Sequence, residues 1–419
     1  MRFIADFHLH SKYSRATSRE MEVETLARWA KKKGIGLLGT GDFTHPTYFA
    51  ELQSKLEPEG NGLFRLKKGD QGIHYILTSE VSNIYTQGGK GRRVHSLIFA
   101  PSFEAVDAIR SKLGNLGKLS SDGRPIFGFS ARDLVEMILD VSPDCLIVPA
   151  HVWTPWFSIF GANSGFDSIE ECFGDMTPHI RAVETGLSSD PEMNWRLSAL
   201  DNMTLISNSD AHSPNRLGRE ANAFDCELDY KAVTEAIRSK DRKRLLFTLE
   251  FFPEEGKYHY DGHRACGVIF SPQQTKASRF LCPKCHKKLT VGVMHRVDEL
   301  ADRPAGFIQK NAIPSIHLIP LEEIIAEATG CQVGTKTVET EYERLVEKGG
   351  SEFRILLEAA PHDLASFVPA RIQEGITRMR QGKVSIVPGH DGAYGKITLF
   401  PEKKEKEEKE ERKEQLKLF

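Results

Sequence analysis

Short apolar runs compatible with β-strands recur along this chain, and several of them close on a histidine, aspartate or glutamate. They are Leu37-Leu38-Gly39-Thr40-Gly41-Asp42, Ile76-Leu77-Thr78-Ser79-Glu80, Val94-His95-Ser96-Leu97-Ile98-Phe99, Cys145-Leu146-Ile147-Val148-Pro149-Ala150-His151 and Leu205-Ile206-Ser207-Asn208-Ser209-Asp210-Ala211-His212. Residues 23–33 and 131–139 between them are amphipathic with helical spacing. Strands alternating with helices, with polar chemistry at strand ends, is the plan of an α/β barrel whose carboxyl-face loops carry the site.

The first ten residues fit that plan. Residues 2–10 read as one strand, and its two-residue period puts His8 and His10 on the same face, where two imidazoles suit one metal ion. An isolated His-x-His could equally be solvated surface; the downstream series favours ligands.

With 419 residues the chain exceeds a barrel of about 250. It is 40% hydrophobic and 27% charged, and no apolar run approaches the roughly 18 residues of a membrane span. The opening residues lack a signal-peptide pattern, so the expected location is cytoplasmic and nucleoid-associated, with no membrane partner. Four of the seven cysteines, Cys145, Cys172, Cys226 and Cys331, are scattered and read as small buried hydrophobes. The other three belong to a second constellation: His263-x-x-Cys266 and Cys282-x-x-Cys285, fifteen residues apart, match a closed structural zinc site, with His259 and His286 as nearby alternatives to His263. A net charge of −2 says nothing of polyanions, yet residues 262–297 hold seven Lys or Arg and no Asp or Glu, a candidate nucleic-acid face.

Two loops invite functional readings. The segment from His151 to Gly161 holds Trp153, Trp156, Phe157 and Phe160, which either cap the core or stack on a nucleobase. The turn from Gly88 to Arg93, with Lys90, Arg92 and Arg93, is either a plain hairpin or a basic loop on a phosphate backbone. Beyond 304 the spacing predicts helices over 321–329, 338–348, 353–359 and 369–381, then a hairpin through Pro388-Gly389-His390-Asp391-Gly392. The expected organisation is a barrel over 1–250, a zinc module over 251–303, a mainly helical region over 304–400 and a charged tail over 401–419. In the tail all thirteen residues from 402 to 414 are charged, and Gln415, Leu416, Leu418 and Phe419 follow as a candidate sliding-clamp peptide at the end of a tether.

The motifs His8-Leu9-His10, Thr40-Gly41-Asp42, Glu80, His95, His151 and Asp210-Ala211-His212 resemble those of the polymerase and histidinol phosphatase (PHP) metallohydrolases. That resemblance implies a distorted (β/α)7 barrel holding two or three divalent ions, Zn2+, Mn2+, Fe2+ or Mg2+. It implies His8, His10, Glu80, His95, His151, Asp210 and His212 as catalytic ligands, together with Asp42. The second motif of that family commonly reads Asp-His, whereas Phe43 follows Asp42 here and His45 is the nearest imidazole, so either of the two could be the ligand. With the zinc module and the 388–392 hairpin added, the chain resembles the endonuclease Q family over nearly its whole length. This implies a DNA repair endonuclease that nicks 5′ of uracil, hypoxanthine, xanthine and abasic sites in damaged DNA, and one structural Zn2+ on His263, Cys266, Cys282 and Cys285. The alternative is a PHP-type phosphatase acting on a small phosphate monoester.

Overall fold

Strand β1 (Arg2–Asp6) organises the principal sheet, pairing in parallel with β2 (Leu37–Gly39), which pairs in parallel with β3 (His74–Gln87). The computed structural model describes residues 1–69 and 71–401, so the charged tail and its terminal motif lie outside the described residues. β3 turns straight into β4 (Lys90–Ala100) as a long antiparallel hairpin, and β4 pairs antiparallel with β5 (Leu146–Pro149). Here the structure departs from a strict strand–helix alternation. Gly88 and Gly89, at φ 61 and 74, close a tight turn, so no crossover helix intervenes. Within that hairpin Arg92 is buried, with its guanidinium 4.0 Å over the Phe166 ring, so it holds the loop rather than a phosphate.

β6 (Ala182–Glu184) and β7 (Thr204–Ile206) form a separate parallel pair. Two backbone bonds join this pair to its neighbours beyond the strand ends: Val152 N–H donates to Glu184 O at 3.0 Å, and His10 N–H donates to Ala211 O at 3.0 Å. All seven strands send side chains into one apolar cluster, among them Ala5, Leu37, Ile76, Leu97, Val148, Ala182 and Ile206. Their alternate neighbours, Leu38, Tyr75, Ile98, Ile147, Val183 and Leu205, face a second cluster under the helices. This is the two-residue strand period expressed as two cores.

On the far side of β1 the sheet continues antiparallel through β8 (Ala221–Asp225) and β9 (Leu245–Glu250). Helix α1 (Val23–Lys33) buries Val23, Leu26, Ala27 and Ala30, spaced as an amphipathic helix requires, and stops at Gly34 with φ 92. Helix α2 (Ala131–Val141) is capped by Ser130 and buries Leu134, Val135 and Ile138.

After β9 come the hairpin β10 (Asp261–His263) and β11 (Val268–Phe270), then α3 (Val293–Leu300). Strand β12 (Ser315–His317) pairs in parallel with β9 and covers the edge that strand would otherwise expose. Helices α4 (Leu321–Thr329), α5 (Lys336–Gly349) and α6 (Ala370–Arg380) follow, with one π-helical turn at Arg354–Glu358, where a helix was expected. Ile324, Leu345 and Ile376 join the same core cluster as Leu26 and Ala30 of α1. A buried ion pair ties the two regions: Lys33 Nζ lies 2.7 Å from Glu352, which also accepts from the Tyr342 hydroxyl at 2.7 Å and from Leu321 N–H at 3.0 Å. The chain's last described elements are the hairpin strands β13 (Ser385–Val387) and β14 (Lys396–Thr398). No helix among the described residues is long and apolar enough to cross a membrane.

Candidate active site

The sequence-marked side chains converge from several strands and the loops that follow them. His8 and His10 follow β1, Glu80 lies within β3, His95 within β4, His151 just after β5, and Asp210 after β7. Their ligand atoms fall into two sets, each within 4.8 Å: His8, His10 and Asp210, and Glu80, His95 and His151. Glu80 lies between the sets. One carboxylate oxygen is 3.3 Å from His10 Nε2 and 3.6 Å from His8 Nε2; the other is 2.7 Å from His95 Nδ1 and 3.0 Å from His151 Nε2. Asp210 Oδ1 stands 3.2 Å from His10 Nε2 and 3.7 Å from His8 Nε2.

Three of these atoms are buried without a hydrogen-bond partner: His8 Nε2, His10 Nε2 and Asp210 Oδ1. A buried unpaired polar atom is costly, and three converging on one point, two imidazoles and a carboxylate, fit a divalent cation. The outer nitrogens support this. His8 Nδ1 is 3.0 Å from both oxygens of Glu184, and His10 Nδ1 is 3.0 Å from Asp42 Oδ1. A carboxylate on Nδ1–H fixes the tautomer and leaves the Nε2 lone pair facing inward. Burial pushes the Glu80 carboxyl up, but His95, Arg124 and His8 hold it well below the usual carboxylate range. Burial takes the His95 imidazole down to about 4, keeping it neutral and able to coordinate. Asp42, His151 and Asp210 all adopt positive φ, at 44, 31 and 46, which non-glycine residues rarely do. Backbone strain clustered in this way is characteristic of functional sites. Gly186 lies so close to His151 that a β-carbon there would meet the histidine Cβ at 2.4 Å.

Asp42 sits behind His10. Besides His10 it accepts from Ser11 N–H at 2.6 Å, Ser11 Oγ at 2.7 Å and Ser14 Oγ at 2.9 Å, and it belongs to neither ligand set. Nor does His45, whose ring accepts from Tyr48 N–H at 3.4 Å and stacks on Tyr13 at 4.4 Å. The His212 ring is 4.6 Å from that of His10, with Nδ1 2.9 Å from Asp210 O, beside the first set rather than within it. Two residues at the site carry no sequence signal. Glu184 closes a run of only three residues, yet its carboxylate also accepts from His151 N–H and Asn208 Nδ2, both at 2.8 Å. Arg124, from an irregular loop, donates to Glu80 at 2.9 Å.

The aromatic loop divides between both readings. Trp153 is 1% exposed, with its indole N–H on Asn194 at 2.8 Å, and Phe160 is equally buried, so both belong to the core. Trp156 is 47% exposed, and Phe157 lies 4.7 Å from the His95 ring at the site's edge.

In the second constellation His263, Cys266, Cys282 and Cys285 bring their ligand atoms within 4.8 Å; His259 and His286 stay outside the set. Burial raises the Cys282 thiol, but the N–H groups of Lys284 and Cys285 and the neighbouring thiols outweigh it and bring the group down to about 7. The local core is only Val268, Cys282 and Leu289 with partly buried neighbours. A core that small needs a staple, and zinc on three thiolates and an imidazole fits the donor set. Of the scattered cysteines, Cys145, Cys172 and Cys226 are buried as expected, whereas Cys331, just past the C-cap of α4, is half-buried and packs against the edge of the main core cluster.

A family profile described as the MJ0043 C-terminal domain matches residues 320–383. The uncharacterized protein MJ0043 of Methanocaldococcus jannaschii is 34% identical over 265 residues, covering 61% of this chain and 32% of that protein, so the chain spans about a third of that relative's length. YqxK of Bacillus subtilis is 29% identical over 410 residues, 94% of this chain and 98% of that one. The crystal structure of a lesion-specific endonuclease from Pyrococcus furiosus superposes with a TM-score of 0.85 at 33% identity, over 95% of each chain. Endonuclease Q in complex with a 27-mer duplex carrying an abasic lesion at its active site superposes at 0.83 with 34% identity, over 96% of this chain and 98% of that one. Similarity of this depth over nearly the full length, on the mixed α/β fold and metal-ligand sets described above, makes this chain an enzyme of the endonuclease Q family.

Proposed function

We propose that the protein is a metal-dependent DNA repair endonuclease that hydrolyses the phosphodiester 5′ of deaminated bases, namely uracil, hypoxanthine and xanthine, and of abasic sites. The observation that carries this reading is the pair of ligand sets meeting at Glu80 with three orphaned buried donor atoms aimed inward. His8, His10 and Asp210 would hold one ion and Glu80, His95 and His151 another, with His212 beside them. Bound divalent ions supply hydroxide near neutral pH and charge for the developing oxyanions. The chain's own residues do the positioning: Glu184 and Asp42 orient His8 and His10, and Arg124 keeps Glu80 ionised and aimed. His263, Cys266, Cys282 and Cys285 would bind the structural Zn2+ that orders the basic module.

The seven strands around the site are read as a distorted (β/α)7 PHP barrel, supported by the two backbone bonds that link β6 and β7 to their neighbours. Residues 1–250, 251–303 and 304–400 remain the proposed functional divisions, with a cytoplasmic setting. A clamp contact through Gln415–Phe419 is proposed from sequence alone. The test is incubation of the purified enzyme with end-labelled duplexes bearing uracil, hypoxanthine, xanthine, an abasic site or no lesion, in Mg2+, Mn2+ or Zn2+, mapped at nucleotide resolution. Lesion-dependent nicks on the 5′ side are expected; turnover of free phosphate monoesters with indifference to DNA would contradict the reading.

A further inference from the structure

The hairpin of β13 and β14 holds an aromatic ring in water on a rigid mount. Tyr394 is 74% exposed, with Val387 and Ile386 also exposed on the same hairpin. The mount is fixed from several directions. Asp391 accepts from Arg264 N–H at 2.7 Å and from the Thr290 hydroxyl at 2.5 Å, both in the zinc module. Gly389 O accepts from Tyr260 N–H at 2.9 Å, Gly389 N–H donates to Glu254 O at 2.8 Å, and Gly395 N–H donates to Glu255 O at 3.0 Å. The backbones are so close that a β-carbon at Gly395 would meet Glu254 O at 2.0 Å, and one at Gly389 would meet Gly256 O at 2.2 Å.

Internal packing does not account for the exposed ring. A charged companion is Lys257, whose Nζ stands 4.5 Å over the ring centroid. Through Asp391 the hairpin is anchored to the segment 262–297, which carries seven Lys or Arg and no Asp or Glu, with Lys276 and Arg296 paired to Asp298 and to Asp167 and Glu299. Thr290, which holds Asp391, lines a cleft of about 270 Å3 together with Tyr258, Arg296, Trp153 and Trp156, on the loop that begins at His151.

We infer that this hairpin is a DNA-stacking element, and that Tyr394 is a positioning residue that lays its ring against a base of the duplex while the basic module holds the phosphates. This rests on the endonuclease reading of the site. An exposed aromatic beside a cation, on a hairpin anchored to a segment rich in Lys and Arg, fits nucleic acid, because every base offers a π-face and every linkage a negative charge.

The test compares Tyr394→Ala, Tyr394→Phe and wild type as intact holoenzymes. The readouts are duplex affinity by fluorescence anisotropy, KM and kcat for nicking a uracil duplex, and the emission of 2-aminopurine placed beside the uracil. Expected is a roughly tenfold loss of affinity with a matching rise in KM for Tyr394→Ala, within the range of one lost base stack. Tyr394→Phe should restore affinity, KM and the 2-aminopurine change. Affinity of Tyr394→Ala equal to wild type would overturn the inference and leave the hairpin face to a protein partner; Tyr394→Phe as weak as Tyr394→Ala would overturn stacking in favour of the hydroxyl. Failure of wild type to nick any lesion duplex would reject the endonuclease reading, while anisotropy would still report on Tyr394.

Discussion

At Glu184 one carboxylate reaches His8 Nδ1, His151 N–H and Asn208 at 2.8 to 3.0 Å, so the two ligand sets share a common brace. Glu184→Gln keeps the shape but removes the charge that fixes His8. It should lower metal affinity at this site or nicking by about 10- to 100-fold, read by metal analysis and nicking rate. Asp42→Asn should act on the His10 side with a similar magnitude; if neither variant changes metal content or rate, both carboxylates serve packing alone. At this scale the sequence displayed the candidate ligands better than their supports. His8, His10, Glu80, His95, His151 and Asp210 end or interrupt apolar runs, and the structure gathers them. Glu184 and Arg124 had no such frame, because a three-residue strand and an irregular loop carry too little periodicity to mark a position.

Elements were legible where local chemistry decides them. Helix α1 stops at Gly34, whose left-handed φ of 92 is the glycine cap signal, and α4 spans Leu321–Thr329 before Gly330. The β3–β4 hairpin was harder to read because strand direction is set by the partner rather than by the run itself. For the zinc module, Cys282→Ser should release one zinc equivalent and destabilise residues 251–303, since the local core is too small to fold alone. Unchanged metal content and damaged-DNA affinity would reject the zinc assignment. At the end of β9 burial lifts the Glu250 carboxyl to about 7, although Ser207 donates to it at 2.6 Å. A folded-state value above the unfolded one means the native protein holds an extra proton between the ordinary carboxyl range and pH 7, so stability falls as pH rises through that window. Glu250→Gln should flatten that fall, visible as a gain in Tm over wild type at pH 8 that disappears near pH 4; a pH-independent difference would assign the effect to packing.

Across the whole molecule, the C-terminal helices share one apolar core with α1, and Lys33 with Glu352 marks the seam. Lys33→Ala would strand a buried carboxylate and should cost about 3–5 kcal/mol, measured by denaturant unfolding; a loss under about 1 kcal/mol would show that water reaches the pair. That seam was invisible in sequence because Lys33 ends one predicted helix and Glu352 lies in the gap between two others far along the chain, with no local pattern linking them. The same holds for β12, which ties the region beyond 304 to the principal sheet. The most direct test of the proposed centre compares wild type with Asp210→Asn on an end-labelled uracil duplex, measuring binding and nicking on the same preparation. Asp210→Asn should bind the duplex with near wild-type affinity, because the basic module is untouched, and should lose nicking by far more than tenfold; nicking within tenfold of wild type would place the catalytic centre elsewhere.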